Sequence, residues 1–315
     1  YERTYHPMYE KDGGIRALEE VRFSITSHRG CPGGCSFCSI VFHQGRIVQK
    51  RSKESILREA GIVARMKDFK GYITDIGGPT ANFRNAYCRT MGKRGMCRDR
   101  QCLFPEICKN LNLDHSEYLD ILKSAGRIEG VKKVFVRSGV RYDYLLADGN
   151  PAFFNELCAN HISGQLKVAP EHASRSVLAL MGKEDISVYK KFSAKYSQIN
   201  EKIGKRQYLV PYFISGHPGE TIGDVLELVE FLMDSGFVPD QIQDFYPTPG
   251  TVSTCMYYSG FDPRNMNEIA SVRDGVEMMN RRTLIQFSKK GNGRKARELL
   301  RSYGRDDLAA RIHNN

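Results

Sequence analysis

Short runs of β-branched and aromatic residues recur along the chain, and stretches with helical periodicity separate them. The alternation predicts parallel strands joined by right-handed helical crossovers. Six such units are too few to close an eight-stranded barrel, so the pattern predicts an α/β fold, a partial (β/α)6 TIM-like barrel. The predicted strands span residues 21–26, 72–76, 134–137, 166–168, 208–214 and 241–246. The predicted helices span residues 52–67, 116–125, 151–160, 174–200 and 222–235.

The same pattern predicts how the chain is divided. We expect a lead-in at 1–20, the barrel at 21–260 and a basic C-terminal helical extension at 261–315. A cysteine-rich insertion at 84–110 interrupts the barrel after its second strand. Because the chain does not begin with Met, we expect that it was trimmed or processed before its first residue.

Composition places the chain among globular proteins of a reducing compartment. Of its 315 residues, 41% are hydrophobic and 26% are charged, which is close to the average for soluble domains. No apolar run approaches the roughly 20 residues of a membrane-spanning helix, and the N-terminus lacks the apolar segment of a secretion signal. Nine cysteines, an odd number, argue against a disulfide framework. We therefore predict a cytoplasmic protein with no membrane contact.

The net charge of +11 is concentrated in two segments. Residues 84–102 hold six basic residues and one acidic residue, and residues 281–305 hold nine basic residues and one acidic residue. One interpretation is a pair of patches for an anionic partner, such as RNA or a phosphorylated substrate. The other is a solvated helix face together with a loop whose positive charges offset cysteine thiolates.

Three cysteines follow the first predicted strand with the spacing C-x3-C-x2-C: Cys31, Cys35 and Cys38. Three thiolates on one tight loop can hold three irons of a [4Fe–4S] cluster, because soft sulfur ligands suit iron–sulfur clusters. The fourth iron would then stay open to a small molecule. The alternative is a structural zinc loop, which would need a fourth ligand.

This loop resembles the signature of the radical S-adenosylmethionine (radical SAM) superfamily, C-x3-C-x-aromatic-C, with Phe37 at the aromatic position. The loop at 215–221, SGHPGET, is also similar to loops of that superfamily. Three phrases resemble the YgiQ-type subfamily: DIGGPTAN at 75–82, VRSGVRYD at 136–143 and LKVAPEH at 166–172. The resemblance covers 21–251 and extends to 281–308. Full-length relatives carry a further N-terminal domain, so we expect this chain to be a catalytic core.

The resemblance implies cofactor contacts in the loops that follow the strands. Backbone carbonyls at Gly77 and Gly78, after the second strand, would approach the amino group of SAM. The polar side chains at the ends of the later strands would meet its ribose or carboxylate. The alternative role of each of these side chains is a helix cap or a surface position, and that of His217 is to fill a hydrogen-bonding position in its loop. Pro79 stands where an acidic residue is common, so a carboxylate contact there is not expected. The predicted cofactor-binding residues are Phe37, Gly77, Gly78, Ser138, Lys167, Glu171, Arg175 and His217.

A second cysteine group lies in the insertion: Cys88, Cys97, Cys102 and Cys108. Four thiolates suit either zinc or an auxiliary [4Fe–4S] cluster. Zinc sites usually contain a C-x2-C pair, and none occurs here, so the spacing favours a cluster over zinc. Reduced free thiols are the third alternative.

The sequence therefore predicts a radical SAM enzyme that uses a [4Fe–4S] cluster to cleave S-adenosylmethionine reductively to a 5′-deoxyadenosyl radical, which acts on an unidentified substrate. The predicted partner besides substrate is an electron donor such as flavodoxin or ferredoxin. No residue is assigned as catalytic. The alternatives are a zinc-containing nucleic-acid-binding protein and an RNA-modifying radical SAM enzyme. Against the RNA-modifying enzyme, no RNA-binding barrel is visible after Thr251.

Overall fold

The structure is a computed structural model, and it describes residues 8–11, 13–237, 239 and 242–312. The strands are β1 (Ser24–Thr26), β2 (His28–Arg29), β3 (Gln49–Lys50), β4 (Tyr72–Ile73), β5 (Asp75–Gly77), β6 (Lys133–Val134), β7 (Gln165–Glu171), β8 (Tyr208–Ser215) and β9 (Gln243–Asp244). The first helices are α1 (Met8–Lys11), α2 (Arg16–Val21), α3 (Ile40–Gln44), α4 (Lys53–Ala64), α5 (Met91–Arg94), α6 (Ser116–Gly126), α7 (Tyr142–Leu146) and α8 (Ala152–Glu156). The others are α9 (Arg175–Met181), α10 (Ile186–Lys202), α11 (Ile222–Ser235), α12 (Val252–Ser259), α13 (Gly275–Ile285), α14 (Gly293–Ser302) and α15 (Asp306–Ala310).

The parallel strands lie side by side in chain order. β1 pairs with β5, β4 pairs with β6, and β8 lies between β7 and β9. Since β4 and β5 are two parts of one predicted strand, that strand lies between β1 and β6. The N–H of Val140 donates to the carbonyl of Lys167 at 3.3 Å and joins the two halves. Within the described residues no pairing joins β9 to β1, so the partial α/β barrel predicted from the sequence is confirmed.

Local contacts change the bounds of several predicted elements. The third strand is shorter than predicted: β6 ends at Val134, and further along the N–H of Arg137 donates to the Asp75 carboxylate at 2.8 Å. The helical region predicted over 174–200 contains two helices, because Gly182 ends α9 with a φ of 71°. Asp185 then caps the new helix α10, accepting the N–H of Ser187 at 2.9 Å. The antiparallel pair of β2 and β3 was not predicted. The sixth predicted strand begins at residue 241, outside the described residues.

Two apolar clusters organise the molecule. The larger lies between the sheet and helices α4, α6, α8 and α10. The smaller joins α11 of the barrel to α13, α14 and α15, with Val225, Leu284, Leu300 and Leu308 fully buried. The C-terminal helices therefore share a core with the barrel. Among the described residues, no helix has both the length and the apolar character needed to cross a bilayer.

Candidate functional site

The first cysteine loop lies between β2 and α3, at the carboxyl end of the sheet. Cys31, Cys35 and Cys38 line one cavity of about 240 Å³. The loop turns at Gly34, whose φ of 71° suits glycine, and Cys38 closes it by donating its N–H to the carbonyl of Cys35 at 3.2 Å. The N–H of Ser36 donates to α9 at 2.8 Å, which fixes the loop on the barrel. The structure thus brings the three predicted metal ligands to one cavity.

Two thiols of this loop, those of Cys31 and Cys38, are weaker acids than an ordinary cysteine. Burial, together with the neighbouring Cys35 thiol, raises the pKa of Cys31 to about 12. Burial also raises the pKa of Cys38 above its ordinary value. A bound cation would replace these protons, because thiolates are the form that ligates metals. The loop therefore fits a positively charged metal group.

The number of cysteines favours a cluster over a zinc ion. A [4Fe–4S] cluster can take one cysteine on each of three irons and leave the fourth iron open. A structural zinc site needs four protein ligands, and this loop offers three cysteines.

Four further predicted residues line the same cavity: Phe37, Ser138, Lys167 and Glu171. Lys167 and Glu171 both lie on β7, and Glu171 ends that strand with a φ of 69°. Burial raises the pKa of Glu171 to about 7, although the charges of Lys183 and Arg141 oppose this. The cavity wall therefore combines an aromatic ring, a hydroxyl, an exposed amine and a carboxyl group that ionises near neutral pH.

Gly77 and Gly78 lie beside this cavity instead of in it. They line a neighbouring cavity of about 270 Å³, and Pro79 borders both. A Cβ atom on Gly78 would lie 2.6 Å from the buried ring of His28, and one on Gly77 would overlap the side chain of Ser138. Close packing alone therefore explains why both positions are glycine.

Two predicted residues do not reach the cavity. Arg175 is the exposed first residue of α9. His217 is buried, with Nδ1 donating to the Pro218 carbonyl at 2.8 Å and Nε2 accepting from the Ser253 hydroxyl at 2.7 Å. Burial lowers its pKa to about 4, so the imidazole is neutral. The ring meets Phe37 edge to face at 6.4 Å, so it backs the cavity wall as a hydrogen-bonded loop histidine.

A buried charge network beside the cysteines was missed by the sequence analysis. The Arg141 guanidinium donates to Asp143 at 2.7 Å, to Glu184 at 2.6 Å and to the Sγ of Cys35 at 3.4 Å. The charges of Arg141 and Lys183 outweigh burial and lower the pKa of Glu184 to about 2. Arg141 and Lys183 both line the cavity. A positive charge thus lies within hydrogen-bond distance of a cysteine sulfur.

A sequence model described as the radical SAM superfamily matches residues 25–232, well over half of the chain. The chain belongs to the radical SAM superfamily. This membership confirms the identification made from the cysteine loop, including the enzyme class, and implies a [4Fe–4S] cluster and S-adenosylmethionine as cofactors. A second model, described as a domain of unknown function (DUF3362), matches residues 240–313.

Curated relatives of this radical SAM chain carry the name UPF0313 protein, which denotes the YgiQ-type family, so the subfamily is confirmed as well. One from Clostridium botulinum (strain Okra / Type B1) is 54% identical over 308 residues, covering 98% of this chain and 48% of the relative. One from Clostridium perfringens (strain ATCC 13124) is 52% identical over 308 residues, covering 98% and 46%. The chain spans about half the length of the curated relatives it matches.

Solved structures of radical SAM proteins are also similar to this chain. The radical S-adenosylmethionine methyltransferase TsrM from Kitasatospora setae, with cobalamin and a [4Fe-4S] cluster bound, aligns with a TM-score of 0.47 and 16% identity, covering 78% of this chain and 42% of that one. Methylornithine synthase (PylB) aligns with a TM-score of 0.41 and 12% identity, covering 84% and 61%.

Behind the radical SAM cavity, the loop at 215–221 joins the barrel to the C-terminal helices. The carboxylate of Glu220 accepts both the N–H of Gly216 at 2.9 Å and a guanidinium N–H of Arg281 at 2.7 Å. His172 lies 3.4 Å away on its other side. All these side chains are buried. The polar groups of this loop therefore connect β8, the residue that follows β7 and α13.

Proposed function

We propose that Cys31, Cys35 and Cys38 bind a [4Fe–4S] cluster and that this chain uses it to cleave S-adenosylmethionine. When bound, the cluster supplies one electron to the sulfonium, which splits its S–C5′ bond into methionine and a 5′-deoxyadenosyl radical able to take a hydrogen atom from a substrate. The observation that carries the proposal is that the three thiols line a single cavity with polar groups from the ends of two later strands.

The chain's own residues then bind and orient the cofactor. Ser138 offers a hydroxyl for the ribose, while the amines of Lys167 and Lys183 are available for the methionine carboxylate. Lys183 is held in place by donating to the carbonyl of Ala169 at 2.8 Å. Phe37, supported from behind by His217, supplies an apolar wall that excludes water.

Glu171 offers a proton-sensitive contact in the same cavity. With a pKa of about 7, its carboxyl group can donate a hydrogen bond in its neutral form and accept one when ionised. This places it to receive either the amino group or a ribose hydroxyl of the bound cofactor. Arg175 faces solvent, so we assign no cofactor contact to it.

We further propose an acidic one-electron donor of the flavodoxin or ferredoxin class as partner. The proposal rests on charge: Arg84 is buried, but the other basic residues of the insertion are exposed. The insertion contacts the cysteine loop through Gln101, which donates to the carbonyl of Gly34 at 2.8 Å. Arg46, which follows α3, donates to the carbonyls of Cys97 and Arg100 at 2.9 and 2.8 Å and fixes this basic segment to the barrel. Complementary charge would speed the encounter with a negatively charged protein.

The decisive experiment compares two cysteine variants of the full chain after anaerobic reconstitution with iron and sulfide. Cys35→Ala removes one ligand of the first loop, whereas Cys255→Ala removes an exposed thiol on α12, outside the cavity. With SAM and dithionite, we expect 5′-deoxyadenosine from the unmodified chain and from Cys255→Ala, and none from Cys35→Ala.

The same samples give a second readout that does not depend on turnover. Iron content and absorbance near 400 nm should fall in Cys35→Ala and stay unchanged in Cys255→Ala. Full 5′-deoxyadenosine formation by Cys35→Ala would overturn the proposal. A colourless unmodified chain with stoichiometric zinc would favour the zinc-containing nucleic-acid-binding alternative instead.

A further inference from the structure

The cysteine-rich insertion folds so that its backbone brings distant cysteines together. The N–H of Cys108 donates to the carbonyl of Cys102 at 2.9 Å, and the carbonyl of Cys108 accepts the N–H of Leu111 at 2.9 Å. Leu111 in turn pairs with Cys88 in an antiparallel bridge. Three cysteines separated by up to 20 residues are thus held on backbone segments that bond to one another.

The fourth cysteine is tied to the same place. Arg46 donates to the carbonyl of Cys97 and fixes it from outside the insertion. Cys102 belongs to an apolar cluster against which Cys88 and Cys108 pack. All four thiols are free of disulfide bonds. The insertion therefore gathers reduced thiols around one cluster of side chains.

The spacing distinguishes between the metals that four thiols suit. Tetrahedral zinc sites usually contain a C-x2-C pair, and none occurs among these four cysteines. A cubane spreads its four sulfurs over four irons, so it can take ligands from segments of different lengths. The spacing therefore favours a cluster over a zinc ion.

The insertion also packs directly on the first cysteine loop. Gln101 donates to the carbonyl of Gly34 at 2.8 Å. Leu103 lies 3.9 Å from where a Cβ atom on Gly33 would be. Cys31 packs against the same apolar cluster as Cys88, Cys102 and Cys108. Members of both cysteine groups thus contact the same apolar cluster.

We propose that Cys88, Cys97, Cys102 and Cys108 hold a second [4Fe–4S] cluster, fully ligated by the protein, that passes single electrons to the first site. Four protein ligands leave no iron open to substrate, so the cluster can only support the fold or carry electrons. An acidic one-electron donor at the basic surface would reduce it by one electron, and it would return to its oxidised state as that electron moves on. The electron-transfer step rests on the proposed function, whereas the metal site does not.

The metal site is tested on the full chain with the first loop removed. A triple variant, Cys31→Ala, Cys35→Ala and Cys38→Ala, should keep about four irons after reconstitution, against about eight in the unmodified chain. Adding Cys97→Ser, at an exposed position that does not disturb the core, should remove the remaining iron, whereas adding Cys158→Ala should not. About one zinc with no iron, or no metal at all, would overturn the site.

The electron-carrying role has its own test. In Cys97→Ser with an intact first loop, reduction of the remaining cluster by a reduced flavodoxin should slow by about tenfold or more, while reduction by dithionite, which is small enough to reach the first site directly, should not change. Equal rates with flavodoxin in both proteins would overturn the relay. Neither the iron count nor these reduction rates require SAM cleavage, so failure here is distinguishable from failure of the proposed function.

Discussion

Replacing Arg281 by Met should weaken the attachment of the C-terminal helices to the barrel and lower the free energy of unfolding. Arg281 lies on α13, and its guanidinium donates to the Glu220 carboxylate at 2.7 Å and to the Glu220 carbonyl at 3.0 Å. Both side chains are buried, with 4% of the Arg281 side chain and none of the Glu220 side chain exposed. The substitution keeps most of the apolar stem and leaves Glu220 without its guanidinium partner.

The magnitude follows from leaving a buried charge unpaired. Breaking a buried ion pair by removing one partner costs about 3–5 kcal/mol of unfolding free energy. The neighbouring Arg282 offers a matched control, because its ion pair with Asp244 is partly exposed, with 47% and 33% of the two side chains accessible. Arg282→Met should therefore cost less than about 1 kcal/mol.

The assay is urea unfolding of the full chain as a function of pH. Burial alone would raise the pKa of Glu220, but His172 and Arg281 hold it below its ordinary value. A carboxyl group whose pKa is lowered by folding stabilises the fold at pH values above its ordinary pKa. That stabilisation disappears as the pH falls through the lowered pKa. The loss of unfolding free energy in Arg281→Met should therefore be largest near neutral pH and smaller in acid. Equal losses for Arg281→Met and Arg282→Met at neutral pH would refute the reasoning.

Two further predictions concern the cavity. Arg141→Lys keeps a positive charge beside the carboxylates but loses the N–H that reaches Cys35. The reduction potential of the reconstituted first cluster should therefore become more negative in an EPR-monitored titration, while the iron content stays unchanged. Arg137→Lys is the control, and an unchanged potential in Arg141→Lys would contradict a hydrogen bond from Arg141 to the cluster ligand. Burial raises the pKa of Glu171 to about 7. The free energy of unfolding should therefore decrease as the pH rises from the ordinary pKa of a carboxyl group to 7. Glu171→Gln should remove that loss, which is at most about 3 kcal/mol, and parallel pH profiles of unfolding for both proteins would argue against it.

The order of the units and the first cysteine loop could be predicted from the sequence because both depend on local patterns. Strand order follows chain order, and three closely spaced cysteines must share one loop. Element bounds were less predictable. One apolar periodicity runs across Gly182 without a change, and only the left-handed backbone at that glycine divides α9 from α10.

The charge network could not be predicted because burial of a charge depends on residues far apart in the chain. Arg141 and Glu184 are 43 positions apart, and nothing in the local pattern around either indicates that they meet at 2.6 Å. The signal was present in the VRSGVRYD phrase, in which an arginine and an aspartate flank a buried tyrosine directly after a strand. A charged pair in an otherwise apolar strand-end loop indicates a partner elsewhere on the same cavity.

The loop at 215–221 shows how a motif that resembles a cofactor loop can act through packing. Thr221 and Asp224 cap α11 reciprocally, and the Ser174 hydroxyl at the start of α9 donates to the same aspartate at 2.5 Å. His217 of this loop packs against Phe37, which lies between the second and third cysteines of the first loop. The loop therefore holds α9, α11 and the aromatic wall of the cavity in one arrangement without touching the cavity. Substitutions here should change how firmly the first cysteine loop is held, and so its iron content, before they change any contact with the cofactor.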